Sequence, residues 1–432
     1  MFMPSYYEFG CRVNIVAGHM ALDEIPEILA GLSASRPMII TDKGVVGAGL
    51  VDVVINAVSE AVSIVCVEDD VPPDSDLEVV NRIAAVYKKK GCDAIIAVGG
   101  GSVMDTAKGV NIIVSENASD LMQFTGAGTL KRRLKTLIAV PTTSGTGSEV
   151  TLVAVISDPE KMRKMLFTSF FLLPDAAILD TRMTLSLPPA LTAMTGMDAL
   201  SHAMEAYTCL SKNPLSDSHA QAAIALIKAH LVSVVKNPDD RDGRLALATA
   251  ATLAGIAFSN SMVGIVHTIG HSVGGVCHVP HGQCMAILLP YGLEYNLHKN
   301  GDATAELLLP LEGDAVYTAT PADQRALAVI ESIRRLNADL HDATGGRHAR
   351  CLREITGPDG QQLVTRDHLP EIATIALGDG SIFYNPEEMG VDDAMTLLEA
   401  AWEGVPLDRR RIKQGPKQTW VAGLQQRFRR RR

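Results

Sequence analysis

The sequence predicts an α/β domain followed by an all-α one, and two observations carry that reading. Between residue 12 and about residue 180, short β-branched runs alternate with longer amphipathic ones. This spacing implies right-handed crossovers and a mostly parallel sheet covered on both faces. From about residue 189 long apolar helical patterns take over, after LSLPPALTAMTG at 185–196, whose paired prolines mark the change. At 432 residues the chain also exceeds what one core usually serves. We therefore expect two domains, 1–186 and 187–432.

Taken in order, RVNIV at 12–16 reads as a strand, ALDEIPEILAGL at 21–32 as a helix and PMIIT at 37–41 as a second strand. A helical stretch VGAGLVDVVINAVSE follows, then the strand SIVCV at 63–67 and the helix DLEVVNRIAAVYKKK. DAIIAV at 93–98 is the next strand, with a helix opening near Ser102 and the strand TLIAV at 136–140. VTLVAVISDP and KMLFTSF look like a hairpin appended to the sheet, and DAAILD at 175–180 like a further strand.

Hydrophobic residues make up 47% of the chain, which supports well-buried cores. A net charge of −10 argues against a nucleic-acid-binding surface. MFMPSYYEFG lacks a basic start leading into an apolar run, and no segment reaches the length expected of a membrane span. The seven cysteines are scattered, odd in number and never in a CxxC pair, so a reduced, cytoplasmic protein is expected.

In a parallel sheet of this kind ligands bind beyond the carboxyl ends of the strands. Three places there stand out. Asp42 directly follows PMIIT and could accept hydrogen bonds from ribose hydroxyls while repelling a 2′-phosphate, although it could equally be an ordinary helix or turn cap. GGGSVMDTAKG at 99–109 follows an apolar strand. Its glycines allow close backbone approach to a pyrophosphate, and Ser102 is expected to open a helix whose free N–H groups favour anionic oxygen. A tight turn capped by Ser102 is the plainer alternative, but three glycines are a costly way to build one in chain entropy. Asp105 would orient this loop or the nicotinamide end. The third place is PTTSGTGSEVT at 141–151, where Thr142, Thr143, Ser144 and Thr146 supply hydroxyls suited to a nicotinamide ribose or carboxamide.

The second half carries donors of another kind. In GMDALSHAMEAY, Asp198 and His202 stand at i and i+4, on one helical face with little other polar surface. GIVHTIGHSVGGVCHVPHGQC at 264–284 holds His267, His271, His278 and His281. Asp198, His202 and two of these four would make one oxygen and three nitrogens, a set that suits Fe²⁺ or Zn²⁺. Spacing leaves the pair undecided, since His267 and His271 are themselves at i and i+4 and Cys277 with Cys284 offers a thiolate alternative. That alternative would leave Asp198 and His202 without a role.

GGGSVMDTAKG, PTTSGTGSEVT, GMDALSHAMEAY, GIVHTIGH and VPHGQ, in this order and across nearly the whole chain to about Trp402, resemble the iron-containing (group III) alcohol dehydrogenase family. The resemblance implies a Rossmann-like dinucleotide-binding domain, a helical metal-binding domain and an active site in the cleft between them. It implies metal ligands at Asp198, His202, His267 and His281, with Fe²⁺ as the ion and Zn²⁺ or another divalent ion as alternatives. His271 would lie near the nicotinamide and relay a proton, and His278 would have no role. Gly100, Gly101 and Ser102 would hold the pyrophosphate, and Asp105, Thr142, Thr143 and Thr146 the nicotinamide half. Lys164 in RKMLFTS resembles a lysine that contacts cofactor ribose, Phe258 an aromatic lining the substrate pocket, and Asp42 implies NAD rather than NADP.

The expected chemistry is hydride transfer between a small primary alcohol or diol and NAD, with the metal polarising the oxygen, in an oligomer of at least two chains. The alternatives are a glycerol-dehydrogenase-type polyol oxidoreductase, a lyase on the same scaffold, or a metal-dependent hydrolase in which the glycine loop is merely structural. DRRRIKQGPKQTWVAGLQQRFRRRR at the C-terminus reads as a basic, solvated tail to which no role is assigned.

Overall fold

The computed structural model describes residues 3–158 and 163–412, and the basic tail beyond residue 412 lies outside them. The chain divides into two compact units. One comprises Gly10–Leu187 with Pro238–Ser259, the other Met1–Phe9, Pro188–Asn237 and Asn260–Arg432.

The first unit is built on a six-stranded sheet. Its elements are β1 (Asn14–Gly18), α1 (Ile25–Gly31), β2 (Pro37–Ile40), α2 (Lys43–Gly47), α3 (Leu50–Val58), β3 (Cys66–Glu68), α4 (Leu77–Lys90), β4 (Ala94–Gly99) and α5 (Gly101–Glu116). They continue with β5 (Gly126–Ala127), β6 (Thr136–Pro141), β7 (Val153–Asp158), β8 (Arg163–Thr168) and β9 (Ala176–Asp180). The main sheet runs β1-β9-β6-β4-β2-β3, with every neighbouring pair parallel.

Side chains alternate across this sheet as the two-residue period requires. Met38, Ile40, Ile95, Ala97, Leu137 and Ala139 pack with α4 and α5 on one face. Ile39, Ala94, Ile96, Val98, Ile138 and Val140 pack with α1 and α3 on the other. Both faces are covered, which is why these strands read as continuous apolar runs. The connection leaving β2 runs outward to β3 and the one leaving β4 runs the opposite way to β6, so the switch point of the sheet falls between β2 and β4. Asp42 and the three glycines stand at the carboxyl ends of those two strands.

Several local expectations shift. The stretch after β2 is two helices, because Gly49 takes a left-handed conformation (φ +74°) and breaks the run. Ser102 does not open α5: Gly100 is the N-cap, Gly101 the first helical residue, and the Ser102 hydroxyl donates to the carbonyl of Pro73. The hairpin exists as β7 against antiparallel β8, joined by β5 into a separate three-stranded sheet.

The remaining helices are α6 (Pro189–Thr208), α7 (Pro214–Lys236), α8 (Arg241–Ser259), α9 (Ile265–Cys277), α10 (His281–Glu306), α11 (Leu308–Ala319), α12 (Arg325–Ala343), α13 (Leu369–Ala376) and α14 (Val391–Glu403). All but α8 belong to the helical unit, where α6 packs against α7 and α10, and α9 against α10 and α13. α6 is buried nearly all round from Gly196 to Thr208, the signature of a central core helix. Contrary to expectation, α7 is long and apolar enough to cross a membrane by length and composition. Its Ala220, Ala223, Ile224, Ile227 and Leu231 are buried at helical spacing, one face of it packed on α6. All seven cysteines are free thiols.

α8 joins the α/β unit through a close approach. A Cβ on Gly255 would lie 2.8 Å from the Gly147 carbonyl oxygen and 2.9 Å from its Cα, and Gly147 itself has φ +62°. These neighbours are backbone and cannot swing aside. Gly255→Ala is therefore expected to destabilise the protein by about 1–3 kcal/mol through overpacking. A thermal midpoint equal to that of the unaltered protein would contradict the contact.

Candidate metal centre and nucleotide loops

α6 presents Asp198, His202 and Glu205 on one face, and the first turn of α9 presents His267 to the same place. His281 arrives as the first residue of α10, after Pro280. One donor atom from each of Asp198, His202, His267 and His281 can be chosen so that all four lie within 4.8 Å of one another. No other such group of three or more occurs among the described residues. The His281 Nε2 is 3.2 Å, and the His202 Nδ1 3.8 Å, from Asp198 Oδ1. The rings of His202 and His267 lie 4.5 Å apart.

Asp198, His202 and His267 are buried, and the electrostatics follow from that. Burial pushes the His202 imidazole down to about 3, and carries His267 well below the ordinary histidine range with help from His281 and His271. Both imidazoles are neutral at pH 7. Burial works against the charge on Asp198, but His202, His281 and His267 outweigh it and hold the carboxyl below its usual range.

The set passes a test of fit for a divalent cation. His267 Nδ1 lies 2.5 Å from Glu205 Oε2, so its Nε2 is left buried with no hydrogen-bond partner. A buried polar atom without a partner is costly, and a cation that accepts its lone pair removes the cost. Three neutral nitrogens and one carboxylate oxygen suit Fe²⁺ or Zn²⁺.

His271 lies one turn beyond His267, more exposed, with its ring stacked on His281 at 5.4 Å between centroids. Its Nδ1 is 2.8 Å from Asp379 Oδ2. Burial raises the Asp379 carboxyl, but its bond to His271 and the Ser381 amide bring it below the usual range. His278 stands apart as the left-handed C-cap of α9 (φ +54°). Cys277 is 3.4 Å from His368 Nδ1, and burial raises the thiols of both Cys277 and Cys284 away from the thiolate form.

In the α/β unit the loops after β4 and β6 lie side by side. Thr142 donates its amide to the Gly99 carbonyl at 3.1 Å. A Cβ on Gly101 would come within 2.9 Å of Thr146 Cγ2, and one on Gly100 within 3.4 Å of the Thr143 hydroxyl. The glycines thus let a helix N-terminus and a hydroxyl-bearing loop share one surface. Asp105 orients the second loop: it accepts from the Ser148 hydroxyl and the Val155 amide, both at 2.9 Å. Asp42 is the N-cap of α2, accepting from Val45 N at 2.9 Å. Lys164 sits in β8, paired with Ser157, and its side chain lies outside what is described. Phe258 is half-buried in the last turn of α8, within the α/β unit.

Sequence reasoning passed over three groups. Lys108 is fully buried and donates to the Ser148 hydroxyl, the Thr151 hydroxyl and carbonyl, and the Val153 carbonyl, at 2.7 to 3.0 Å. Burial lowers its ammonium to about 8, against the pull of Asp105 and Glu149. A lysine inside the apolar run AKGVNIIV was a readable signal. Glu205 was readable too, seven residues after Asp198 on one helix face. Asp379 was not, being 108 residues from its partner.

The helical unit carries a group of buried metal-type donors, and the α/β unit a glycine loop at the switch point of its parallel sheet; these are the two kinds of feature that a nucleotide-linked metal dehydrogenase needs. Comparison with known proteins agrees. Residues 13–181 match the family model for iron-containing alcohol dehydrogenases, and residues 192–402 the model for the C-terminal part of Fe-containing alcohol dehydrogenases. The chain belongs to the iron-containing alcohol dehydrogenase family and is an oxidoreductase. It is 34% identical to the 1,3-propanediol dehydrogenase of Klebsiella pneumoniae over 89% of this chain and 96% of that protein. A crystal structure of a 1,3-propanediol oxidoreductase superposes with a TM-score of 0.85 at 32% identity, over 92% of this chain and all of that one. The sulfoacetaldehyde reductase of Bifidobacterium kashiwanohense, solved in complex with NAD⁺, gives 0.79 at 26% identity, over 92% of this chain and 99% of that one.

Proposed function

We propose that this dehydrogenase interconverts small primary alcohols or diols and their aldehydes with NAD, using one divalent cation held by Asp198, His202, His267 and His281. In this reading residues 1–186 serve the nucleotide and 187–432 the metal and substrate. The observation that carries it is the convergence of those four donors within 4.8 Å of one another, with the Nε2 of His267 buried and lacking a hydrogen-bond partner. The similarity to a 1,3-propanediol dehydrogenase supports the substrate class, and the family supports Fe²⁺ as the ion, with Zn²⁺ as the alternative.

A divalent cation there supplies Lewis acidity, which acidifies an alcohol hydroxyl or polarises a carbonyl oxygen. Bound NAD supplies the hydride acceptor. The chain's own residues do the rest. Asp198 is the one anionic member of the four donors, and His202 and His267, already neutral at pH 7, accept a cation without first losing a proton. Asp379 fixes the ring of His271 through Nδ1, leaving Nε2 to exchange a proton with solvent. Gly100, Gly101 and Ser102 offer backbone amides to the pyrophosphate, and Thr142, Thr143 and Thr146 offer polar groups to the nicotinamide half. Asp42 at the end of β2 accepts from the ribose hydroxyls and repels a 2′-phosphate. Lys164 at the ribose and Phe258 at the substrate complete the proposed set. We also propose a cytoplasmic oligomer of at least two chains. Among the described residues β1 is an edge strand of the sheet, with Ile15 exposed, which supports the assembly.

His267→Ala and His281→Ala are each expected to lower bound metal and to cut NAD-dependent turnover of 1,3-propanediol by at least about 100-fold, the scale of losing a Lewis acid's contribution. Full metal content with undiminished turnover would sink the ligand assignment. Asp42→Gly is expected to raise kcat/KM for NADP relative to NAD by about tenfold or more, equivalent to about 1.4 kcal/mol. An unchanged ratio would count against the ribose role.

A further inference from the structure

Glu205 is buried, lies on the same face of α6 as Asp198 and His202, and reaches across to the start of α9. That start has no side-chain cap of its own, since its N-cap is Gly264. The Glu205 carboxylate takes the cap's place. Its Oε1 accepts from Val266 N at 2.8 Å, and its Oε2 accepts from His267 N at 3.3 Å and lies 2.5 Å from His267 Nδ1. Gly264 makes room for this: a Cβ there would lie 2.8 Å from Asn385 Oδ1 and 3.2 Å from Glu205 Oε1. Asn385 Oδ1 accepts the next amide, from Ile265, and is held in turn by Asn296 Nδ2 at 2.8 Å.

An ionised carboxylate can only accept, so its contact with Nδ1 favours the tautomer of His267 that carries the proton there. With the proton on Nδ1 the lone pair sits on Nε2, a buried atom with no hydrogen-bond partner, which is then the nitrogen that His267 can offer to the group it forms with Asp198, His202 and His281. We propose that Glu205 is the positioning residue of the metal centre: one carboxylate caps α9 and fixes the ring orientation and tautomer in which His267 offers Nε2 to the cation. This inference rests on the metal assignment made above.

An amide at position 205 cannot do all of this. Gln has one acceptor oxygen and one donor nitrogen where three donors converge. Turning its oxygen to Nδ1 sets its NH₂ against the Val266 amide. Turning it the other way offers NH₂ to Nδ1, which draws the ring proton to Nε2 and blocks the lone pair.

The test measures dissociation constants for Zn²⁺ and Co²⁺ by chelator competition, and the visible spectrum of the Co²⁺ protein. The unaltered protein is compared with Glu205→Gln, Glu205→Asp and Asn385→Ala, and the thermal midpoint of each metal-free form is recorded. Glu205→Gln is expected to weaken metal binding by about 10–100-fold and to shift the Co²⁺ bands. Asn385→Ala is expected to lower the metal-free midpoint while leaving metal affinity unchanged, because it loosens α9 without touching His267. Metal binding by Glu205→Gln as tight as in the unaltered protein, with the same Co²⁺ spectrum, would overturn the inference. So would an equal loss of affinity in Asn385→Ala, which would reduce Glu205 to a helix cap. If Glu205→Gln does not fold, Glu205→Asp decides the matter: its carboxylate is one methylene too short and must bind metal more weakly. An unaltered protein that binds neither ion defeats the metal assignment itself, and is thereby told apart from a failure of Glu205 alone.

Discussion

The helical unit depends on burying two carboxylates, Asp198 and Glu205, and two imidazoles, His202 and His267, together where α6 meets α9. Removing an ionised carboxylate from water costs several kcal/mol even after relaxation, and each partnerless polar atom adds about 1–3 kcal/mol. Asp198, His202 and His267 all sit in such a place. The histidines answer by staying neutral, and Asp198 by staying charged among them. Apolar side chains at these positions would pack with less penalty, so the arrangement makes physical sense as one completed by a cation. The mutual placement is set by α6, α9 and α10, three rigid helices, rather than by loops.

The α/β unit solves a different problem, that of bringing backbone close to backbone. Gly101 lies against Thr146 and Gly147 against Gly255, and Asp105 and Lys108 tie the segment 148–155 to α5. Buried Lys108 satisfies its ammonium on four oxygens of that segment. The loop after β6 is consequently held by fixed polar partners, with Thr143 and Thr146 only partly buried. A preorganised surface of this kind binds a ligand without spending affinity on ordering itself.

Much of this is legible in the sequence because the periodicities are strong. Alternating β-branched and amphipathic runs specify the parallel sheet, and the i, i+4 spacing of Asp198 and His202 is enough to put two donors on one helix face. Boundaries drift where tertiary pairing decides them. β1 runs Asn14–Gly18 rather than 12–16 because it is registered against Ala176–Asp180, and β3 shrinks to three residues because only Met38–Ile40 of its sole neighbour pair with it. The return of α8 to the α/β unit has no local signal, since its contacts, Gly255 on Gly147, Thr252 on Glu149 and Ser259 on Leu152, each join residues more than a hundred positions apart. Among the four histidines of 264–284, spacing cannot choose. His271 is at the right helical interval from His267, but its ring turns to Asp379, whereas His281 gains its place only because Pro280 starts a new helix beside Asp198.

We propose above that Asp198, His202, His267 and His281 hold one divalent cation. Anomalous X-ray scattering, recorded at the Fe or Zn edge from crystals of the protein reconstituted with that ion, addresses it most directly. The account predicts a single peak per chain, bonded at about 2.0–2.2 Å to a carboxylate oxygen of Asp198 and to one nitrogen of each histidine, with Nε2 as the atom of His267. A peak at Cys277 and Cys284, or none near Asp198 in a fully loaded protein, would contradict it.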